Sequence, residues 1–219
     1  MWGGLIPGAV IGGIGGRLAM LVLRLTSDSS LHGLKTDDEF VVGKFSGETF
    51  FLVLFTTALG VLGGLFYLGA RGWIPERHRA LVMGLLAAAV GGSVVIRPDG
   101  IDFTLLEPLW LAVVMFIALP ALYGVAMSML VERFLVRAES HDETQSWVAA
   151  LLPLAVLLIA GPFGLLFVLI AVLVWNVSRR FPLGEFWNSA AVIWVGRTAL
   201  VVVGVLALTT LVKDVGDVL

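Results

Sequence analysis

The stretch WGGLIPGAVIGGIGGRLAMLVLRL, Trp2–Leu25, decides the fold. It is apolar along nearly its whole length, and a helix needs about 20 such residues to cross ~30 Å of hydrocarbon. Its one deep charge is Arg17. No Lys or Arg precedes Arg17, so the basic start of a cleavable signal peptide is missing and the stretch reads as a retained helix. Gly4, Gly8, Gly12 and Gly16 recur at every fourth position. In a helix they form a smooth stripe on which a second backbone can approach closely.

Five more segments follow the same pattern: Thr49–Ala70, Ala80–Ile96, Leu109–Val131, Trp147–Trp175 and Phe186–Val212. The expectation is therefore an all-α, polytopic membrane bundle of six transmembrane helices, forming a single domain over residues 1–219. Pro153 and Pro162 interrupt the fifth segment, and Gly161-Pro162 predicts a kink or a pair of half-helices there. Composition agrees. Hydrophobic residues are 59% of the chain and charged residues 14%, with a mean hydropathy of +1.01, whereas a soluble domain carries about a quarter charged.

Tryptophans mark the segment ends. Trp2, Trp73, Trp110, Trp147, Trp175 and Trp187 all fall at or near a boundary, where the amphipathic indole prefers the headgroup level. Only Trp194 lies deeper. Between segments, Gly72-Trp73-Ile74-Pro75 is a helix break and Arg97-Pro98-Asp99-Gly100 a tight turn. The charged stretch Glu132–Gln145 is compatible with an extension of the fourth helix.

The face at which the first helix starts is called side A here, and the opposite face side B. Six alternating crossings put Arg71, Arg77, Arg79, Arg133, Arg137 and Lys213 on side A, and Arg24, Lys35, Lys44, Arg97, Arg179 and Arg180 on side B. The positive-inside rule is balanced by this count. The compact Arg71–Arg79 loop favours side A, with both termini, as the cytoplasmic face of a cell membrane. Eleven Arg to three Lys, among much Gly, Ala, Val and Leu, points to a GC-rich bacterial genome.

The six helices group into three hairpins that close on side B, and each second helix opens with a related phrase. These are Gly47-Glu48-Thr49-Phe50-Phe51, Leu106-Glu107-Pro108-Leu109-Trp110 and Gly184-Glu185-Phe186-Trp187. The Gly15-Gly16 and Gly91-Gly92 pairs also correspond. A three-hairpin repeat explains this, as does the preference of acids for helix N-termini.

Two arginines interrupt apolar segments, Arg17 at about 12 Å and Arg197 at about 16 Å from the side B end of their helices by the helical rise. An arginine at the membrane centre costs about 2.5–3.5 kcal/mol on insertion scales. Glu48, Glu107 and Glu185 fall in the same half, so a polar cluster opening to side B is expected. A ligand or ion site competes with internal ion pairs and with snorkelling of each arginine to the headgroups. An excess of guanidinium suits an anion or a lipid phosphate; an excess of carboxylate suits protons or cations. Asp37, Asp38 and Glu39, with Asp99 and Asp102, are weaker candidates for a divalent metal.

The glycine stripes, which continue with Gly60 and Gly64 and with Ala80, Gly84, Ala88 and Gly92, serve either packing within the bundle or a dimer seam. Thr56, Thr57, Thr209 and Thr210 are expected to bond back to their own helices. His32, His78 and His141 lie in loops, so no axial pair for haem exists within the membrane. No lysine lies mid-helix for a Schiff base, cysteine is absent, and no nucleotide-binding or zinc-protease spacing occurs. No cofactor and no nucleic-acid partner are expected. The partners are the lipid bilayer and a second copy or membrane subunit. Three functions stay open: a small transporter or channel built around Arg17 and Arg197, a scaffold or accessory subunit using the glycine stripe, and a metal-dependent lipid-processing enzyme.

Overall fold

The computed structural model describes residues 2–27, 47–98, 100, 108–140, 165, 169 and 183–219. Among them the protein is all-helical, with no strand, and five helices are long and apolar enough to cross a membrane. Helix α1 runs without a break through Trp2–Pro7, a π-helical stretch Gly8–Gly15, and Gly16–Thr26. Helix α2 is Gly47–Ala70, α3 is Arg79–Val95, α4 is Leu109–Ser140, α5 is the short Leu183–Trp187, and α6 is Ala190–Val218.

The first four predicted segments are α1 to α4. The predicted fifth, with its Gly161-Pro162 break, lies outside the described residues except for Leu165 and Leu169. The expected break between α2 and α3 consists of two 3₁₀ turns, Arg71–Trp73 and Glu76–His78, on either side of Ile74-Pro75. The turn after α3 closes with the Gly100 amide donating to the Arg97 carbonyl at 3.0 Å. Helix α4 does extend past Val131, and it carries Pro120 within its length. The final segment is divided. Ser189 ends the turn after α5 and caps α6, its hydroxyl accepting from the Val192 amide.

Lipid tails are as apolar as leucine, so membrane helices associate through close packing and polar contacts rather than by escaping water. Glycines provide the close packing. A β-carbon built at Gly4 would run into the Gly60 carbonyl of α2, and one at Gly8 would lie 2.7 Å from the Thr56 carbonyl oxygen and 2.8 Å from the Gly60 Cα. At Gly12 the neighbour is the Thr56 side chain, and at Gly16 nothing lies within 4 Å. The stripe is thus spent on α2 over its first half and is open at its end. On the other flank, a β-carbon at Gly84 would meet Val125 of α4 at 2.7 Å, and one at Gly124 would run into the Met83 carbonyl of α3. Gly15 and Gly91 approach neighbouring residues of α4: Leu119 beside Gly15, and the Pro120 ring beside Gly91.

These contacts set directions. Helices α1 and α3 run from side A to side B, and α2 and α4 return. Helix α6 runs parallel to α3: Gly196 meets Trp73, Gly204 meets Leu86 and Leu211 meets Gly92. Leu211 joins Leu23, Ile96, Ala112 and Val113 in the side B core cluster. Near side A, Tyr67, Ile74, Met83, Met127 and Val131 form a second cluster, with Leu200 packed on it. Six alternating crossings required α6 to run the other way and both termini to share a face. In the structure α6 is parallel to α3 instead, which puts Trp2 and Val218 at opposite ends of the bundle. Hydropathy carries no direction, so only packing could reveal it. The first helix of the expected third hairpin lies outside the described residues.

Two measurements check this arrangement. With no native cysteine, Arg77→Cys and Asp217→Cys should label from opposite faces of sealed vesicles with an impermeant maleimide; labelling from one face would refute the direction of α6. Gly8→Ala should destabilise the detergent-solubilised protein by about 1–3 kcal/mol through overpacking. Gly16→Ala should stabilise it by about 0.5–1 kcal/mol. Equal melting temperatures for the two variants would refute the packing.

Candidate functional site

Arg17 follows the π-helical stretch of α1. It is half-buried, and its Nε and Nη2 atoms are shielded from solvent. Gly13, one turn earlier, packs on α2, where a β-carbon would lie 3.0 Å from the Val53 Cα and 3.1 Å from the Thr56 Oγ1. Arg17 precedes Leu23 of the side B cluster by about 9 Å of helix. It therefore stands in the half of α1 nearer side B.

Arg197 is elsewhere. Its Nε donates to the Trp73 carbonyl at 2.8 Å, which places it level with the turn between α2 and α3. About 21 Å of helix separates it from Leu211 at the side B end. Alternating crossings predict Arg197 nearer side B, because they require the opposite direction for α6. The structure does not bring the two arginines together: Arg17 lies one turn beyond Gly13, which packs on α2, and Arg197 lies at the side A end of α6. Glu185, in α5, is exposed and shares the side A end, since the neighbouring Trp187 Nε1 donates to the Gly69 carbonyl at 2.7 Å. Glu48 lies in the first turn of α2. Glu107, Asp37, Asp38, Glu39, Asp99 and Asp102 lie outside the described residues. Among the described residues no group of three metal-ligating side chains occurs. Thr56 and Thr57 bond back to the Leu52 and Val53 carbonyls, and Thr209 and Thr210 to that of Leu206.

The best-connected polar group is one that sequence reasoning passed over. Glu132 of α4 accepts from Arg71 twice, from Nε at 3.1 Å and from Nη2 at 3.0 Å. Arg79 Nη1 reaches the same carboxylate at 3.2 Å, and the hydroxyl of buried Tyr67 donates to it at 2.6 Å. Arg79 also approaches exposed Glu76 at 3.6 Å. One carboxylate therefore joins the end of α2, the start of α3 and the body of α4. Paired, charge-assisted hydrogen bonds of this kind are the strong ones. A signal was available: Tyr67 and Arg71 sit four apart on one helix face, close to where α4 leaves the membrane. With two guanidinium groups on one carboxylate, the cluster serves first as a structural tie.

Comparison with protein-family models, with curated proteins and with solved structures found no match for this chain.

Glu132→Gln removes the charge and keeps the shape. It should lower stability by about 1–3 kcal/mol, the worth of hydrogen bonds to a charged group. In combination with Arg71→Gln the losses should be less than additive. Thermal unfolding of the three variants in detergent checks both statements; an unchanged melt for Glu132→Gln would show that the tie contributes nothing.

Proposed function

We propose that this chain is a small membrane transport protein, a carrier or channel, which passes an anion through a polar site at Arg17. The observation that carries this reading is the setting of that residue. A guanidinium with shielded nitrogens follows a π-helical stretch of 8 residues inside a membrane-spanning segment. Ionisable groups in such segments are costly, and they mark ligand or ion pathways by default. π-helical turns interrupt the regular amide ladder and occur frequently at functional sites. Thr56 lies across from Gly12 and Gly13, and Glu48 and Glu107 are the acids proposed to accompany Arg17. A guanidinium held there suits a small oxyanion or halide.

The test uses the full chain in phosphatidylcholine vesicles, with chloride and inorganic phosphate as probes. Wild-type vesicles should pass at least one of them faster than protein-free vesicles. Arg17→Gln should slow the flux by about tenfold, the equivalent of about 1.4 kcal/mol, with Arg17→Lys falling between. Wild-type flux at the protein-free level, or an undiminished flux through folded Arg17→Gln, would remove the reading.

A second reading, a scaffold or accessory subunit, is favoured by α6. Only Gly196 and Leu211 of that helix are buried, while Val201, Val205, Leu206 and Val212 are more than half exposed. Lipid or a second protein covers such a surface. A strict monomer in mild detergent, with nothing co-purifying, would count against the subunit reading.

A further inference from the structure

We propose that Arg197 and the tryptophans around it form a binding site for the phosphate of an anionic phospholipid at side A, independent of any transport through Arg17. The guanidinium is held in one orientation from two directions. Its Nε donates to the Trp73 carbonyl at 2.8 Å, and its Cζ stands 5.7 Å from the Trp194 ring. Among the described residues no other bond occupies it, and its Nη atoms are not shielded from solvent. Two nitrogens with parallel N–H bonds, held on a rigid base, match the oxygens of a phosphodiester.

The base is rigid because it is packed without slack. Gly196 lies so close to Trp73 that any side chain there would run into the indole. The Trp73 and Trp187 rings meet at 5.3 Å, and Trp187 is fastened to the Gly69 carbonyl. The Trp73 Nε1 is itself shielded from solvent in this packing.

The ligand is a lipid and not a free phosphate, because the site opens onto an apolar surface. Trp194 is 66% exposed and Val195 70%, and Val201 and Val202 continue that surface along α6. Acyl chains can lie along it while the headgroup reaches Arg197. The lipid is anionic because no carboxylate among the described residues pairs with Arg197, which leaves the charge of its guanidinium to the ligand. Tryptophan and arginine at this level are also where a bilayer places its headgroups.

The full chain, purified in a neutral detergent, is exposed to dioleoyl phosphatidylglycerol or dioleoyl phosphatidylcholine, and bound lipid is read by native mass spectrometry. The wild type should retain phosphatidylglycerol about tenfold better than phosphatidylcholine. Arg197→Lys keeps the charge but loses the fork, and should lose most of that preference while melting near the wild-type temperature. Arg197→Gln should lose all of it, and Arg133→Gln should keep it. Inorganic phosphate should compete only weakly. The proposal is overturned by equal retention of the two lipids, by full retention in Arg197→Lys and Arg197→Gln, or by an equal loss in Arg133→Gln, which would mean diffuse attraction. It is also overturned if inorganic phosphate displaces the lipid completely, since the acyl chains would then contribute nothing.

Discussion

In hydrocarbon a helix gains nothing by exchanging lipid for another helix of equal polarity, so the bundle depends on how closely two backbones can approach. The contact of α1 with α2 through Gly4, Gly8 and Gly60 meets that constraint most directly, backbone on backbone with no side chain between. The other contacts follow the same logic with different partners. Gly84 accepts Val125, Gly91 accepts the ring of Pro120, and Gly92 accepts Leu211. Proline inside a helix sacrifices one amide bond, and Gly91 opposite leaves its ring room against α3.

The polar contacts are concentrated at one end. At side A a single carboxylate, Glu132, is shared by two arginines and a tyrosine. A second set of contacts fastens α6 through Trp73, Trp187 and Arg197. At side B the described core is aliphatic, with Leu23, Ile96, Ala112 and Leu211. The bundle is thus tied by charge at one face and by packing at the other. Arg17 lies between these two ends, within a membrane-spanning segment, and that position is what makes it a candidate for function.

Much of the candidate chemistry was legible as residue type but not as place. Arg17 is legible from its position in an apolar stretch, and the structure leaves it half-buried within α1. Arg197 is legible in the same way, yet it stands level with Trp73, because the direction of α6 is not written in its apolar pattern. Glu132 read as the start of a charged extension. Nothing in its neighbours along the chain revealed that Arg71 and Arg79 converge on it from other helices. The π-helical stretch was equally invisible, since glycine permits many backbone conformations and does not announce which one packing selects.

What the sequence determined by itself is the class of molecule and the place of its first four spans. Apolar length, scarce charge and tryptophans at the boundaries are local properties, and bilayer thickness acts on them directly. The serine and threonine bonds to their own helices were legible for the same reason. What only the tertiary structure decided is direction and partnership: that α6 runs parallel to α3, that the glycine stripe of α1 is spent on α2, and that the arginines divide between the two halves. These depend on contacts between residues far apart in the chain, and a periodic apolar pattern reads the same in either direction.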